Sequence, residues 1–285
     1  MSLEGRNCIV TGATSGIGEA TAITLAAQGA RVGILCRDPA KGEQTLEKIR
    51  TQTGNENLHL FRADLGSQAQ VRAVAAEMLD TFDRIHLLVN NAGLVNWSYS
   101  ETEDGIETVW AVNHLGYFLL TRLLLDRLRE SAPARIVNVA SDAHKFVNGI
   151  EFDDVGQQNN FKSMRVYGHS KLANVLFTRE LARRLEGTGV TANAVHPGAV
   201  ATGLGHNNGG WARALTGFLG VFFKNADQGA ATSIHVATSP DLEDVSGRYF
   251  AKSREARISK AAADDTAAER LWRLSEDMTG LDPLG

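Results

Sequence analysis

Tyr167 and Lys171 stand one helical turn apart in VYGHSKLANVLF, and Ser141 ends an apolar run upstream of them. A phenol, an ammonium and a hydroxyl are the groups needed to move a proton on and off a carbonyl oxygen. A free phenol, with a pKa near ~10, is a poor base at neutral pH. An adjacent ammonium and a positively charged nicotinamide ring would both favour its ionised form. Asn113 in AVNHLGYFLLT interrupts an apolar helical stretch, as a group holding a proton-relay water would. Near the start of the chain, TGATSGIG sets Gly12, Gly16 and Gly18 around Thr14, Ser15 and Ile17. Glycines between a strand and a helix let the backbone turn sharply and approach a pyrophosphate, whose charge faces the helix N-terminus. The two signals together predict hydride transfer with a bound dinucleotide.

The end of the second strand chooses the cofactor. An acidic side chain there binds the ribose 2′-hydroxyl of NAD, whereas an arginine accepts the 2′-phosphate of NADP. Here the strand ends Leu35-Cys36-Arg37-Asp38, with Lys41 one turn into the next helix. Arg37 offers bidentate contact to a phosphate that a carboxylate would repel, so NADP(H) is favoured, with NAD(H) as the alternative. Asp38 is read as the cap of the following helix; its other reading is a ribose contact.

Short apolar runs must position these groups. NCIVTG, ARVGILCR, LHLFRADL, IHLLVNNAG, ARIVNVAS and VTANAVHPG each read as a strand leading into a turn. Between them, residues 17–28, 39–51, 67–81, 105–130 and 165–187 carry apolar residues at helical spacing. Such alternation predicts an α/β fold of Rossmann type: a doubly wound parallel sheet of about seven strands, helices on both faces, in three layers. With no linker or repeat, residues 1–285 read as a single domain. Two irregular segments, 143–165 and 203–227, follow strand ends and are the expected walls of a substrate pocket. Their apolar members Phe146, Phe152, Trp211, Leu215, Phe218 and Phe222 would select an apolar carbonyl or alcohol.

Composition narrows the classes. With 43% hydrophobic residues there is material for a sizeable core, and a net charge of −4 suggests no nucleic-acid footprint. Cys8 and Cys36 fall inside strand-like runs and read as buried, reduced thiols. The eight histidines show no metal-ligand spacing, so no metal is expected. No apolar stretch approaches the roughly 20 residues of a membrane span, and no leader precedes the glycine turn; a soluble, cytoplasmic protein is expected. The apolar stretch around 107–129, with the helix over 165–187, is a candidate surface for a homodimer or homotetramer.

These residues carry a resemblance over nearly the whole chain to the short-chain dehydrogenase/reductase family. TGATSGIG is similar to its TGxxxGIG turn, Asn90-Asn91-Ala92-Gly93 to its NNAG motif, and Asn113, Ser141, Tyr167 and Lys171 to its catalytic tetrad. Pro197-Gly198 with Thr202 resembles its PGxxxT segment. The resemblance implies that Asp64 and Leu65 flank the adenine, Asn91, Ala92 and Gly93 line the ribose side, and Thr202 holds the carboxamide. Lys171 would bind ribose as well as lower the phenol's pKa. CRDPAKGE, NHLGYFLLT, ARIVNVAS and YGHSKLANVLFTRELARRLEGTGV resemble the largely NADP-dependent retinol dehydrogenase branch, which includes WW-domain oxidoreductases. The membrane-anchoring N-terminal segment of the animal retinol enzymes has no counterpart in this sequence, so the substrate expected is an apolar aldehyde, ketone or alcohol rather than a retinoid as such. A second class is a catalytically idle, dinucleotide-sensing binding protein of the same fold; such proteins commonly lose the tyrosine or lysine, and both are present here.

Overall fold

A computed structural model describes residues 2–197 and 226–284. Each of the six apolar runs forms a strand: β1 (Asn7–Thr11), β2 (Arg31–Cys36), β3 (Leu58–Arg62), β4 (Leu87–Asn90), β5 (Ala134–Val139) and β6 (Val190–His196). Two short strands, β7 (Tyr249–Ala251) and β8 (Arg254–Glu255), complete a sheet ordered β3-β2-β1-β4-β5-β6-β7-β8. Neighbours run parallel except β7 and β8. Among the described residues the sheet thus has eight strands, in keeping with the about seven expected. The added pair is too short to show the two-residue periodicity by which strands are recognised.

Alternation of side chains explains why these strands are apolar throughout. Ile9, Leu35, Phe61, Leu88 and Ile136 join one buried cluster; Val10, Val32, Ile34, Val89 and Val137 join another. Consecutive residues point to opposite faces, so each face needs its own helical cover. One face is covered by α1 (Gly16–Ala27), α2 (Pro39–Thr53) and α7 (Ala226–Thr238), through Leu25, Leu46, Ile49 and Val236. The other is covered by α3 (Gln68–Thr81), α5 (Gly116–Glu130) and α6 (Ser163–Arg184), through Val71, Met78, Phe118, Leu124, Phe177 and Leu181. α8 (Asp265–Thr279) lies outside α6, where Trp272 packs on Phe118 and Phe177.

Local chemistry sets the helix ends. Asp38 caps α2 by accepting from Ala40 N and Lys41 N at 3.0 and 3.3 Å, and Gly54 closes it at φ 69°. Ser67 and Asp264 cap α3 and α8 in the same way. The 105–130 stretch is not one regular helix. A single turn, α4 (Thr108–Trp110), widens into a π-helical stretch over Ala111–Leu115 before α5 resumes. The apolar excess of this region is consumed inside the chain: Leu119, Leu120, Leu124, Leu125 and Leu128 are all buried in the first cluster. It therefore gives by itself no argument for a dimer or tetramer.

Candidate functional site

Strand order reverses between β1 and β4, the place where open α/β sheets leave a crevice at the strands' carboxyl ends. A cleft opens there, and its walls are the turns that follow β1 to β5, with Pro197 after β6.

Its floor is the glycine turn. Gly12 sits at φ 64° and Gly16 at φ 56°, in the left-handed region that costs other residues energy. A Cβ on Gly12 would lie 2.6 Å from Ala92 Cα, and one on Gly18 would overlap Gly12 O and Asn91 Nδ2. Side chains pin this approach in place. Thr11 Oγ1 accepts from Asn91 N and Ala92 N at 2.9 and 3.0 Å, and Asn91 Nδ2 donates to Thr11 O and Gly12 O at 2.9 and 3.1 Å. Gly12, Thr14, Ser15, Ile17 and Gly18 line the cleft, whereas Gly16 serves the turn's backbone shape. Ser15 is the N-cap of α1 and makes no capping hydrogen bond, which leaves the helix's first N–H groups available to an anion. The site thus fits a pyrophosphate: close backbone, no Cβ in the way, and an uncapped helix start. Gly18→Ala is expected to cost about 1–3 kcal/mol of stability, read as a drop in Tm, and to weaken dinucleotide binding in a fluorescence titration. Wild-type values for both would show that the turn has room to spare.

At the far wall, Arg37 and Asp64 form an ion pair at 3.5 Å, and Arg37 is 62% exposed in its side chain. Both line the cleft, with Leu65 beside them. Lys41 does not; its ammonium lies 4.0 Å from Asp38, which is committed to capping. Across the floor, Asn91, Ala92 and Gly93 line the near wall. Asn90, which precedes them in the motif, points inward. Its Nδ2 donates to Thr121 Oγ1 and Asn138 Oδ1 at 2.9 and 2.8 Å, and Asn138 Nδ2 continues to Thr178 Oγ1 at 2.9 Å.

Ser141, Tyr167, Lys171 and Pro197 complete the cleft at its other end. Lys171 is buried and donates from Nζ to Val139 O at 2.9 Å, and lies 5.7 Å from the centre of the Tyr167 ring. The ammonium therefore lies over the ring. Tyr167 reflects this. Burial pushes its pKa up to about 12, opposed by a hydrogen bond with Ser141. Burial also brings Lys171 down to about 7. In the protein alone burial thus sets the direction for both groups; the expected lowering of the phenol also calls on the positively charged nicotinamide ring of a bound cofactor.

Asn113 lies behind the cleft rather than in it. Its Oδ1 accepts from Leu94 N at 2.8 Å, and its Nδ2 donates to Leu94 O and Ser170 Oγ at 2.9 and 3.1 Å. Both amide hydrogens and one of the two acceptor positions of Oδ1 are thus engaged, and the side chain positions Leu94, itself part of the wall. Gly198 and Thr202 lie outside the described residues, as do Trp211, Leu215, Phe218 and Phe222. Of the remaining expected pocket aromatics, Phe146 is 64% exposed, and Phe152 packs on the core with the Arg270 guanidinium 4.2 Å from its ring centre. The sequence reading missed Leu35, Cys36, Ala63, Leu94, Val112, Val139 and Ala140, which also line the cleft. Most end a strand or follow one directly; extending each strand-end motif by two residues would have found most of them. Among the described residues, no helix is long and apolar enough to cross a membrane, and no three His, Cys, Asp or Glu side chains gather as a metal site requires.

Comparison with known proteins agrees with this geometry. A family profile described as short chain dehydrogenase matches residues 6–212. Retinol dehydrogenase 12 of Mus musculus is 47% identical over 281 residues, covering 99% of this chain and 88% of the relative. Retinol dehydrogenase 14 of Homo sapiens is 43% identical over 304 residues, covering 98% and 88%. Among solved structures, an uncharacterized protein from Mycobacterium paratuberculosis superposes with a TM-score of 0.79 at 34% identity, covering 99% and 97% of the two chains. A short chain dehydrogenase from Burkholderia cenocepacia, in complex with NADP, gives 0.70 at 27% identity, covering 93% and 100%.

Proposed function

The chain belongs to the short-chain dehydrogenase family, in its retinol dehydrogenase-like branch, and from that premise we propose an NADP(H)-dependent oxidoreductase, a single catalytic domain, acting on a hydrophobic aldehyde, ketone or alcohol. One observation carries this reading: Ser141, Tyr167 and Lys171 open into the same cleft as the glycine turn and Arg37. NADP(H), when bound, supplies or accepts the hydride. Arg37 would hold the 2′-phosphate, the start of α1 the pyrophosphate, and Asp64 and Leu65 the adenine side. Ser141 and Tyr167 hold the substrate oxygen between two hydroxyls. In reduction Tyr167 gives its proton to that oxygen, and its pKa of about 12 keeps it loaded for the task at neutral pH. Lys171, tied to Val139 O, lies over the Tyr167 ring and would meet the ribose. Asn113 fixes the Leu94 wall. Two free, buried cysteines suit a reducing cytoplasm.

The test is titration of NADPH and NADH against wild type and Arg37→Ala, followed by turnover of apolar aldehydes and alcohols. Charge-assisted hydrogen bonds to a phosphate predict an NADPH affinity loss of about 10- to 100-fold in the variant, with NADH affinity unchanged. Equal binding of the two cofactors by wild type, indifferent to Arg37, would overturn the NADP assignment.

A further inference from the structure

The turn that carries Ser141 is short. Ser141 Oγ caps it by accepting from Ala143 N at 3.2 Å, and the turn itself is a single 3₁₀ stretch, Asp142–Phe146. A turn of this size at a strand end has too few bonds of its own to hold a hydroxyl to within a fraction of an ångström. Its direction comes from elsewhere in the chain.

Two side chains of the turn are gripped by the β7–β8 region. His144 is buried; its Nδ1 lies 2.7 Å from Ser141 O, and its Nε2 accepts from Ser259 N at 3.2 Å. With Nε2 accepting, Nδ1 carries the hydrogen and donates to Ser141. Tyr249 of β7 donates its hydroxyl to Asp142 Oδ1 at 3.1 Å, and its ring meets His144 nearly edge-on, centres 5.0 Å apart. The phenol remains a donor, because burial, then the Asp142 carboxylate and Tyr167, push its pKa above the ordinary value. Asp142 also reaches sideways: its N donates to His196 Nδ1 at 3.3 Å, at the end of β6, and its carboxylate takes Lys145 Nζ at 2.5 Å. None of Asp142, His144 or Tyr249 lines the cofactor cleft.

We propose that Asp142, His144 and Tyr249 form a positioning clamp that fixes the Ser141 turn beside Tyr167, making the β7–β8 segment a working part of the reactive site. The clamp rests on the oxidoreductase reading above. Its members touch neither cofactor nor substrate; they act through Ser141, and they account for why a three-residue strand at the sheet's margin has a buried tyrosine.

The test compares Tyr249→Phe, Asp142→Ala, Asp142→Asn and the double variant Tyr249→Phe/Asp142→Ala, using NADPH with an apolar aldehyde. Tyr249→Phe and Asp142→Ala are each expected to lower kcat by about 10- to 100-fold, the cost of small misplacements in a reactive geometry. NADPH Kd should stay within about twofold of wild type, the ordinary scatter between independent sites. The double variant should be no slower than the slower single, since both remove one bond. Asp142→Asn, whose amide oxygen still accepts from the phenol, should recover most of the kcat lost in Asp142→Ala. A merely structural role would shift Tm but would neither separate kcat from NADPH Kd nor show this recovery. Singles with wild-type kcat, losses that multiply in the double, or Asp142→Asn as slow as Asp142→Ala would each overturn the clamp while leaving the oxidoreductase intact. A wild type that turns over no carbonyl or alcohol with either dinucleotide would overturn the oxidoreductase reading, and the clamp with it.

Discussion

Tyr167→Phe is expected to lose turnover by about 10²- to 10⁴-fold, the range that a positioned acid or base contributes, while NADPH affinity and Tm stay near wild type. The argument is that the hydroxyl alone is removed. The ring remains in place above Lys171 Nζ, and the glycine turn and Arg37 are untouched. No neighbouring phenol can substitute, because neither Tyr117 nor Tyr249 lines the cleft. Steady-state kinetics beside a cofactor titration decides the matter. Retained turnover in Tyr167→Phe would remove this side chain from the chemistry. A wild type that binds the dinucleotide, turns nothing over, and signals to a partner regardless of the hydroxyl would instead be the binding protein of the alternative reading.

Lys171→Met should be inactive and yet more stable than wild type at pH 7. Turnover should fall by about 10²-fold or more, and Tm should rise by at least about 3 °C, since each kcal/mol relieved is worth about 2–4 °C in a chain of this size. Burial takes Lys171 from 10.5 to about 7. Between those values the unfolded chain holds a proton that the folded chain releases, so the folded state loses stability as pH falls from 10.5 towards 7. Below pH 7 the cost is constant. Methionine removes it, and Val139 O is not stranded, because Asn174 Nδ2 donates to it at 3.3 Å. The stability gap between the variant and wild type should therefore narrow as pH rises from 7 to 10. Melting curves across that range check it; a less stable variant, or a gap indifferent to pH, would mean that Lys171 is not desolvated in solution.

Legibility in the sequence followed the physics of each feature. TGATSGIG and NNAG could be read because a sharp turn in close contact with another backbone admits few residue types. Gly12 and Gly18 show that constraint directly, with Ala92 and Asn91 where a Cβ would go. Asp38 was legible as a cap because capping is local, a matter of two or three residues. Asn90 was not, since its partners Thr121 and Asn138 come from distant parts of the chain and only the fold brings them together. Asn113 was found, but its bonds to Leu94 and Ser170 were not. The widened turn over Ala111–Leu115 leaves no periodicity signal, and it is the tertiary placement of Leu94 that occupies the amide. The surroundings of Tyr167 were hidden for a related reason. Spacing shows that an ammonium is one turn away, but not which atom it faces or how dry the site is. β7, with three residues, falls below any pattern-based reading, although Tyr249 reaches the Ser141 turn.

The bonds between Thr11, Gly12, Asn91 and Ala92 have a consequence for how tightly a ligand can hold on. Four hydrogen bonds internal to the chain already fix the two turns that flank the crevice. Their conformational freedom is surrendered when the chain folds, not when the guest arrives. A dinucleotide entering this crevice need not freeze a loop around its phosphates, so more of each contact's free energy appears as affinity. The receptor end of the molecule is in this sense rigid by inheritance.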